Sequence, residues 1–232
     1  LDFTNGLLRL ESGQLAPPDG REIFPLVGIQ DAPVMDLDLG GQSFRSLVDT
    51  GLTSTMIVPN SPAAGLTYAY GPVPYHEVRG WFGQERYAAG RLSGSLRIGP
   101  YEIASPAVMT GPGGTILGEE ILQYSTVTFD QNTEAIRLRG ADPAPIDTPS
   151  WYTVGFSLDR DDAGWFVNDV IPGSPAESLG FRPNDRVNTV NGVPPGAIWC
   201  ELALTETDLV TLELIRDDGY TTVSIPLHKV VP

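Results

Sequence analysis

The chain has 232 residues, 14 of them basic and 29 acidic, for a formal net charge of -15 at pH 7. That length suits one or two domains with a sizeable core. So acidic a surface repels nucleic acid and anionic membrane, so neither is expected as a partner. No apolar run approaches the length of a membrane span, and no membrane insertion is expected. The single cysteine, Cys200, allows no internal disulfide and no Cys-based zinc site, and reads as a filler of an apolar position. It neither shows nor excludes an oxidising compartment. Gly 26 and Pro 21, with few long helical patterns, point to a turn-rich, mostly β chain. The chain opens at Leu1 rather than Met, as a processed chain would, so any targeting segment is expected to lie outside it.

Leu7 to Leu10 reads as an edge strand and Gln14 to Gly20 as a loop. Ile23 to Ile29 reads as a first core strand, with Pro25 confining it to an edge or breaking it. Pro33 to Leu39 then alternates apolar and polar, the period of a half-buried strand. Gly40-Gly41 supplies a hairpin turn, and Ser43 to Val48 the return strand. Asp49 falls where that strand ends, with Gly51 free to adopt a backbone that a Cβ would forbid. Thr55 to Pro59 reads as a buried strand and Asn60 to Pro74 as a loop. In His76 to Tyr87, two strand-like arms flank Gly80-Trp81-Phe82-Gly83. Leu92 to Gly99 alternates into a turn at Gly99-Pro100, and Ile103 to Met109 reads as one further strand. Thr110 to Thr115 lacks the Lys and the following helix of a phosphate-binding loop. Ile116 to Leu122, Phe129-Asp130 and Ala135 to Leu138 follow. Ala141 to Pro149 reads as a stiff Pro-rich linker.

Beyond it, Gly164 to Ala176 leads through Pro172-Gly173-Ser174-Pro175-Ala176 into Leu179 to Gly192, which ends in an Asn191-Gly192 turn. Leu209 to Arg216 and Tyr220 to Leu227 read as two closing strands. His76 and His228 are the only histidines, and no Gly-x-Ser-x-Gly elbow supports a Ser-His pair. His76 reads as a decoration of the hairpin arm, and His228 as a surface residue after the last strand. Asp159, Asp161 and Asp162 read as a solvated hairpin tip; an EF-hand loop would need a longer ordered ligand set.

The run Leu47-Val48-Asp49-Thr50-Gly51 after a hairpin resembles the active-site loop of the retropepsin-like aspartic proteases. Ile116-Leu117-Gly118-Glu119-Glu120-Ile121-Leu122 resembles that family's second signature, in which the Gly lets two backbones approach. The resemblance implies a single-lobe acid-protease β-barrel, with Asp49, Thr50 and Gly51 catalytic and Leu117 and Gly118 supporting them. It also matches Gly80, Trp81, Phe82 and Gly83 to the family's flap over bound peptide; the alternative is a hairpin whose Trp81 and Phe82 cover its own core. Hydrolysis in this family uses two aspartates that share one proton about one water. This chain has a single Asp-Thr-Gly, so the second must come from another copy, which implies a two-fold homodimer. Thr50 would cross-link the two loops. Leu52 departs from the family's small residue: it cannot hydrogen-bond a carboxylate, and its bulk is expected near the dimer axis. The dyad is therefore expected to be less acidic in its activity than pepsin-like enzymes, or strained, weak or inactive.

Residues 151 to 227 resemble a PDZ domain of the bacterial type, on the Pro-Gly-Ser-Pro-Ala turn, the Gly180 to Asp185 step and the terminal Asn-Gly. PDZ domains add a peptide strand to a sheet edge and hold its terminal carboxylate on backbone amides. The matching residues are Val154, Gly155, Phe156 and Ser157. Little room remains for the second PDZ helix, with only Ile198 to Leu204 available, so the groove could be shallow or closed. Peptide capture and packing against the protease-like half stand as equal roles. The expected architecture is a retropepsin-like domain over 1-141, a linker over 142-150 and a PDZ domain over 151-232. The expected activity is an aspartic endopeptidase acting on polypeptides without a cofactor or metal. The alternative is a protease-like scaffold that has lost activity and holds peptides. The resemblance implies a periplasmic or cell-envelope location in a bacterium.

Overall fold

The computed structural model describes residues 1–3, 5–28, 32–61, 64–80, 83–140, 146–197, 209–216 and 219–232, with the main chain alone at 76–80, 83 and 84. Its contacts divide the chain into two units: Leu1–Pro72 with Gly90–Pro149, and Val73–Ala89 with Ser150–Pro232.

The first unit begins with β1 (Ile23–Pro25), β2 (Val34–Leu39), β3 (Gln42–Val48) and β4 (Met56–Pro59). The long hairpin β5 (Tyr68–Gly80) and β6 (Gly83–Leu92) is rooted here. Then come β7 (Ser95–Ile98), β8 (Tyr101–Ala104), β9 (Ala107–Gly111), β10 (Thr115–Leu117), α1 (Glu119–Leu122), β11 (Ser125–Asp130) and β12 (Ala135–Gly140). Nine strands form one sheet in the order β5-β6-β9-β4-β10-β3-β2-β7-β8, and β1-β12-β11 form another.

The alternation in β2 is real: Val34, Met35, Leu37 and Leu39 are buried while Asp36 faces water. Gly40 (φ 63°) and Gly41 (φ 83°) turn β2 back into β3, pairing Leu39 with Gln42. Both central residues have positive φ, the geometry that matches strand twist in a two-residue hairpin. Met35, Leu37, Leu39, Met56, Leu96, Ile103, Leu117, Leu122 and Ile136 form the fully buried heart of this unit.

Two local expectations change. Ile103 to Met109 is two strands, not one, because Ser105 takes φ 45° and Pro106 follows it. That break sends β8 to one end of the sheet and β9 between β6 and β4. The loop expected over Asn60 to Pro74 already contains strand from Tyr68 onward. Pro72 and Pro74 are tolerated because β5 is the end strand and need not donate on both sides. Pro25 likewise sits in β1, at the edge of its sheet.

Residues 141–145 of the expected linker lie outside the described residues. Ile146 bridges to Ile103, and the buried Thr148 accepts hydrogen bonds at Oγ1 from the Ala107 amide (3.1 Å) and from Arg91 Nη1 (3.0 Å). Arg91 also donates to the carbonyls of Ser105, Thr148 and Pro149. Residues 146–149 are thus docked on the first unit.

The second unit contains β13 (Trp151–Thr153), β14 (Phe156–Asp161), β15 (Gly164–Val170), α2 (Pro175–Ser178), β16 (Arg186–Val190), a 3-10 turn at Pro195–Ala197, β17 (Leu209–Arg216), β18 (Gly219–Pro226) and β19 (His228–Val231). β14 to β18 form a five-stranded sheet in chain order, and β13 pairs with β19. The core gathers Val154, Phe156, Val167, Ala176, Phe181, Leu212 and Leu214 among others. Phe156 and Phe181 stack at 5.4 Å between ring centroids.

The motif residues explain their turns. Ser174 caps α2 by accepting from the Glu177 amide (3.2 Å), Pro175 follows at the first helical position, and Glu177 accepts from the Gly173 amide (2.7 Å). Asn191 (φ 50°) and Gly192 (φ 82°) close the turn after β16, and the Asn191 side chain accepts from the Thr211 amide. His228 does not follow the last strand; it opens β19, opposite Thr153, while remaining exposed. Ile198 to Leu204 lies outside the described residues. Among those residues, no helix is long and apolar enough to cross a membrane.

Candidate active site and peptide-binding loop

β10 inserts between β3 and β4, parallel to the first and antiparallel to the second. The chain leaving β3 at Val48 is therefore stitched to the chain leaving β10 at Leu117. The Asp49 amide donates to the Leu117 carbonyl (2.9 Å), the Gly118 amide to Thr55 (2.9 Å) and the Glu119 amide to Leu52 (2.7 Å). The fully buried Thr55 hydroxyl donates to the Glu120 carboxylate. A Cβ on Gly118 would stand 2.0 Å from the Ser54 carbonyl oxygen, so only glycine allows this crossing. Leu117 thus meets Asp49, and Gly118 packs against Leu52, Ser54 and Thr55.

Asp49 is partly buried, and its Oδ1 accepts from the Gly51 amide at 2.8 Å. Its Oδ2 has no hydrogen-bond partner among the described residues. Thr50 is exposed. Gly51 does not use a positive φ, contrary to expectation. A Cβ there would lie 3.3 Å from Asp49 Oδ1, a close contact with the carboxylate. Leu52 is half-buried, and its Cδ2 lies 3.1 Å from where a Cβ on Gly118 would stand, so that methyl packs on the segment that follows β10. An anchored carboxylate with one free oxygen can hold a water or take a proton. Alone it lacks an acid partner.

Gly80 and Gly83 end the two strands of the hairpin, and Trp81 and Phe82 lie outside the described residues. Within the arms, Tyr87 donates to Glu85 (2.9 Å), and burial with that neighbouring carboxylate pushes its phenol pKa up. The Tyr75 ring stacks on Trp151, with centroids 5.7 Å apart.

The second loop joins β13 to β14. Val154, Gly155, Phe156 and Ser157 are all buried. Gly155 (φ 91°) donates from its amide to Thr153 Oγ1 (3.0 Å). Its carbonyl accepts from the Ile171 amide (2.8 Å) and from Ser174 Oγ (3.2 Å). Ser157 is buried with its Oγ unpaired, next to a register shift between Ser157 and Leu158. β14 is an end strand, paired among the described residues with β15 alone. The acidic turn is committed otherwise: Arg186 makes two 2.7 Å bonds to Asp161, and this pairing lowers the Asp161 pKa.

Sequence reading missed Glu120, Thr153 and the Tyr75–Trp151 pair. Glu120 lies within the quoted signature, but no spacing rule links it to Thr55. Thr153 sits two residues before the glycine whose amide it caps, a local pattern that Ser/Thr turns use. The aromatic pair spans 75 to 151, beyond any local pattern.

Residues 166–199 match the PDZ domain family model. No curated protein matches the sequence. Among solved structures, the chain is similar to the EIAV protease complexed with the inhibitor HBY-793, at 18% identity and a TM-score of 0.35, over 41% of this chain and 88% of that one. It is also similar to a retropepsin-like aspartic protease from Rickettsia conorii, at 18% identity and a TM-score of 0.37, over 50% of this chain and 87% of that one. The class rests on the stitched Asp49 loop in the first unit and the family match in the second. The chain is a mostly β protein whose second unit carries a PDZ-family segment and whose first unit carries the stitched Asp49 loop.

Proposed function

We propose that this protein is an aspartic endopeptidase whose catalytic dyad forms between two copies of the chain. The observation that carries the reading is Asp49 itself: one carboxylate oxygen tied to the Gly51 amide, the other without a partner among the described residues, beside an exposed Thr50. Two such loops facing across a two-fold axis would bring their Asp49 side chains onto one water. One carboxylate, ionised, takes the water's proton as it attacks the peptide carbonyl. The other, protonated, donates to the carbonyl oxygen. Thr50 would bind the partner loop, and the β5–β6 hairpin with Gly80 and Gly83 would cover the peptide. The PDZ domain would recruit polypeptide by strand addition at the free edge of β14, beside the loop Val154-Gly155-Phe156-Ser157. The bacterial periplasm or envelope is the proposed location.

The test is cleavage of an unfolded protein from acid to neutral pH, wild type beside Asp49→Asn, with the mass in solution measured on the same samples. Activity should fall by roughly 10²–10⁴-fold in the variant. Cleavage that survives the substitution would overturn the dyad. A stable wild-type dimer that cleaves nothing would instead favour a peptide-holding scaffold.

A further inference from the structure

The β5–β6 hairpin is divided by its contacts. Its root, Tyr68–Pro72 and Gly90–Leu92, groups with the first unit, whereas Val73–Ala89 groups with Ser150–Pro232. Within that second group the Tyr75 ring stacks on Trp151, at 5.7 Å between centroids and 29° between planes. Trp151 is only 8% exposed and is held in turn by β19, where it pairs with the buried Val231. The residues that follow it, Tyr152 to Gly155, form the loop placed above at the carboxylate end of the PDZ groove. Tyr75 is half-buried, and a stacked aromatic pair contributes beyond its buried area and orients the two segments that carry it.

We propose that Tyr75 and Trp151 are positioning residues for the reaction. Their stack anchors the hairpin arm on the PDZ domain, so that the PDZ domain sets the hairpin's position and is a working part of the catalytic unit. A domain that only recruited substrate could be removed without loss toward a short peptide; this one could not. The activity consequence rests on the aspartic-protease reading, whereas the anchoring does not.

Amide hydrogen exchange on the full chain separates the two. Wild type, Trp151→Ala, Trp151→Phe and Tyr75→Ala are compared over 73–80 and 83–89, with β16 and β17 as the internal standard. Exchange in the hairpin arms should rise about tenfold in both alanine variants and return toward wild type in Trp151→Phe, with β16 and β17 unmoved. If Trp151→Ala loosens β16 and β17 as well, Tyr75→Ala decides, because its truncation lies on the hairpin. Hairpin exchange unchanged in Tyr75→Ala overturns the anchoring. On a short peptide, kcat should fall roughly tenfold in the alanine variants with KM changing less, and recover in Trp151→Phe. Raised exchange with unaltered kcat overturns the positioning role. A wild type that cleaves nothing fails the protease reading and leaves the exchange result to decide the anchoring.

Discussion

The Asp49 loop of the first unit and the 152–156 loop of the second each depend on a glycine pressed against a neighbour, yet the pressure has different sources. A Cβ on Gly118 would meet main chain, the Ser54 and Leu52 carbonyl oxygens at 2.0 and 2.8 Å. A Cβ on Gly155 would meet a side chain, Ser174, at 2.3 Å from its Cβ and 2.4 Å from its Oγ, from a backbone already at φ 91°. The first crossing leaves a carboxylate oxygen of Asp49 without a partner among the described residues. The second uses up its main chain: the Gly155 amide goes to Thr153, and its carbonyl to Ile171 and Ser174. One loop is built to present a side chain outward, and the other is satisfied as it stands, so a peptide carboxylate would have to displace Thr153 Oγ1 to use that amide.

Substitution can break this contrast. Gly118→Ala forces main chain against main chain, and no side-chain change can relieve it; the first unit should lose about 3 kcal/mol or more in denaturant unfolding. Gly155→Ala should cost the second unit about 2 kcal/mol through strain and overpacking. Adding Ser174→Gly should return much of that loss, since glycine at a helix N-cap costs only a few tenths of a kcal/mol. Failure of the double variant to recover would mean that the positive φ, not the clash, fixes Gly155. Thr153→Val is the finer probe. It leaves the buried Gly155 amide without its acceptor and should cost about 1 kcal/mol. Unchanged stability would mean that the amide finds another acceptor at no cost, and the loop would then resemble the Asp49 loop more than it differs.

How legible all this was depends on the range of the interactions. The β2–β3 hairpin, the Asp49 loop and the Ser174-capped turn were readable because alternation, Gly-Gly and Ser-Pro act over a few residues. The division at Ser105 carries a local signal too, Ser105-Pro106, but the apolar residues on both sides make Ile103 to Met109 look like one continuous strand. The length of the hairpin was hidden because Gly71, Pro72 and Pro74 look like a loop until an end position in the sheet makes them tolerable. The paired signatures implied that the two loops should approach, but the Glu120–Thr55 bond depends on which side of a four-residue helix Glu120 leaves from. The docking of 146–149 depends on Arg91, 57 residues from Thr148, and no local pattern reports such a partner.

The smallest expected effect lies at the tip between β14 and β15, where the second unit carries a charge pair that the Asp49 loop lacks. Arg186 grips both oxygens of Asp161 and lies over the Phe166 ring at 5.2 Å, while the Ala163 amide donates to the same carboxylate (2.9 Å). The Arg186 hydrogen bond is the first cause holding the Asp161 carboxyl below the ordinary aspartate range. Because the folded pKa is the lower one, the unfolded chain binds the proton more readily. The stabilisation is therefore complete above the ordinary aspartate pKa and is lost as pH falls through the depressed folded value. The pair is well exposed, so its contribution is small and screened by salt. Asp161→Asn should lower the stability of the second unit at neutral pH and low salt, and the gap to wild type should close on acidification and in high salt. The measurement is unfolding of both proteins across about pH 6 to 2 at two salt concentrations. A gap that persists at the acid end would assign the role to the turn's hydrogen bonds, which asparagine disturbs at any pH, and not to the charge.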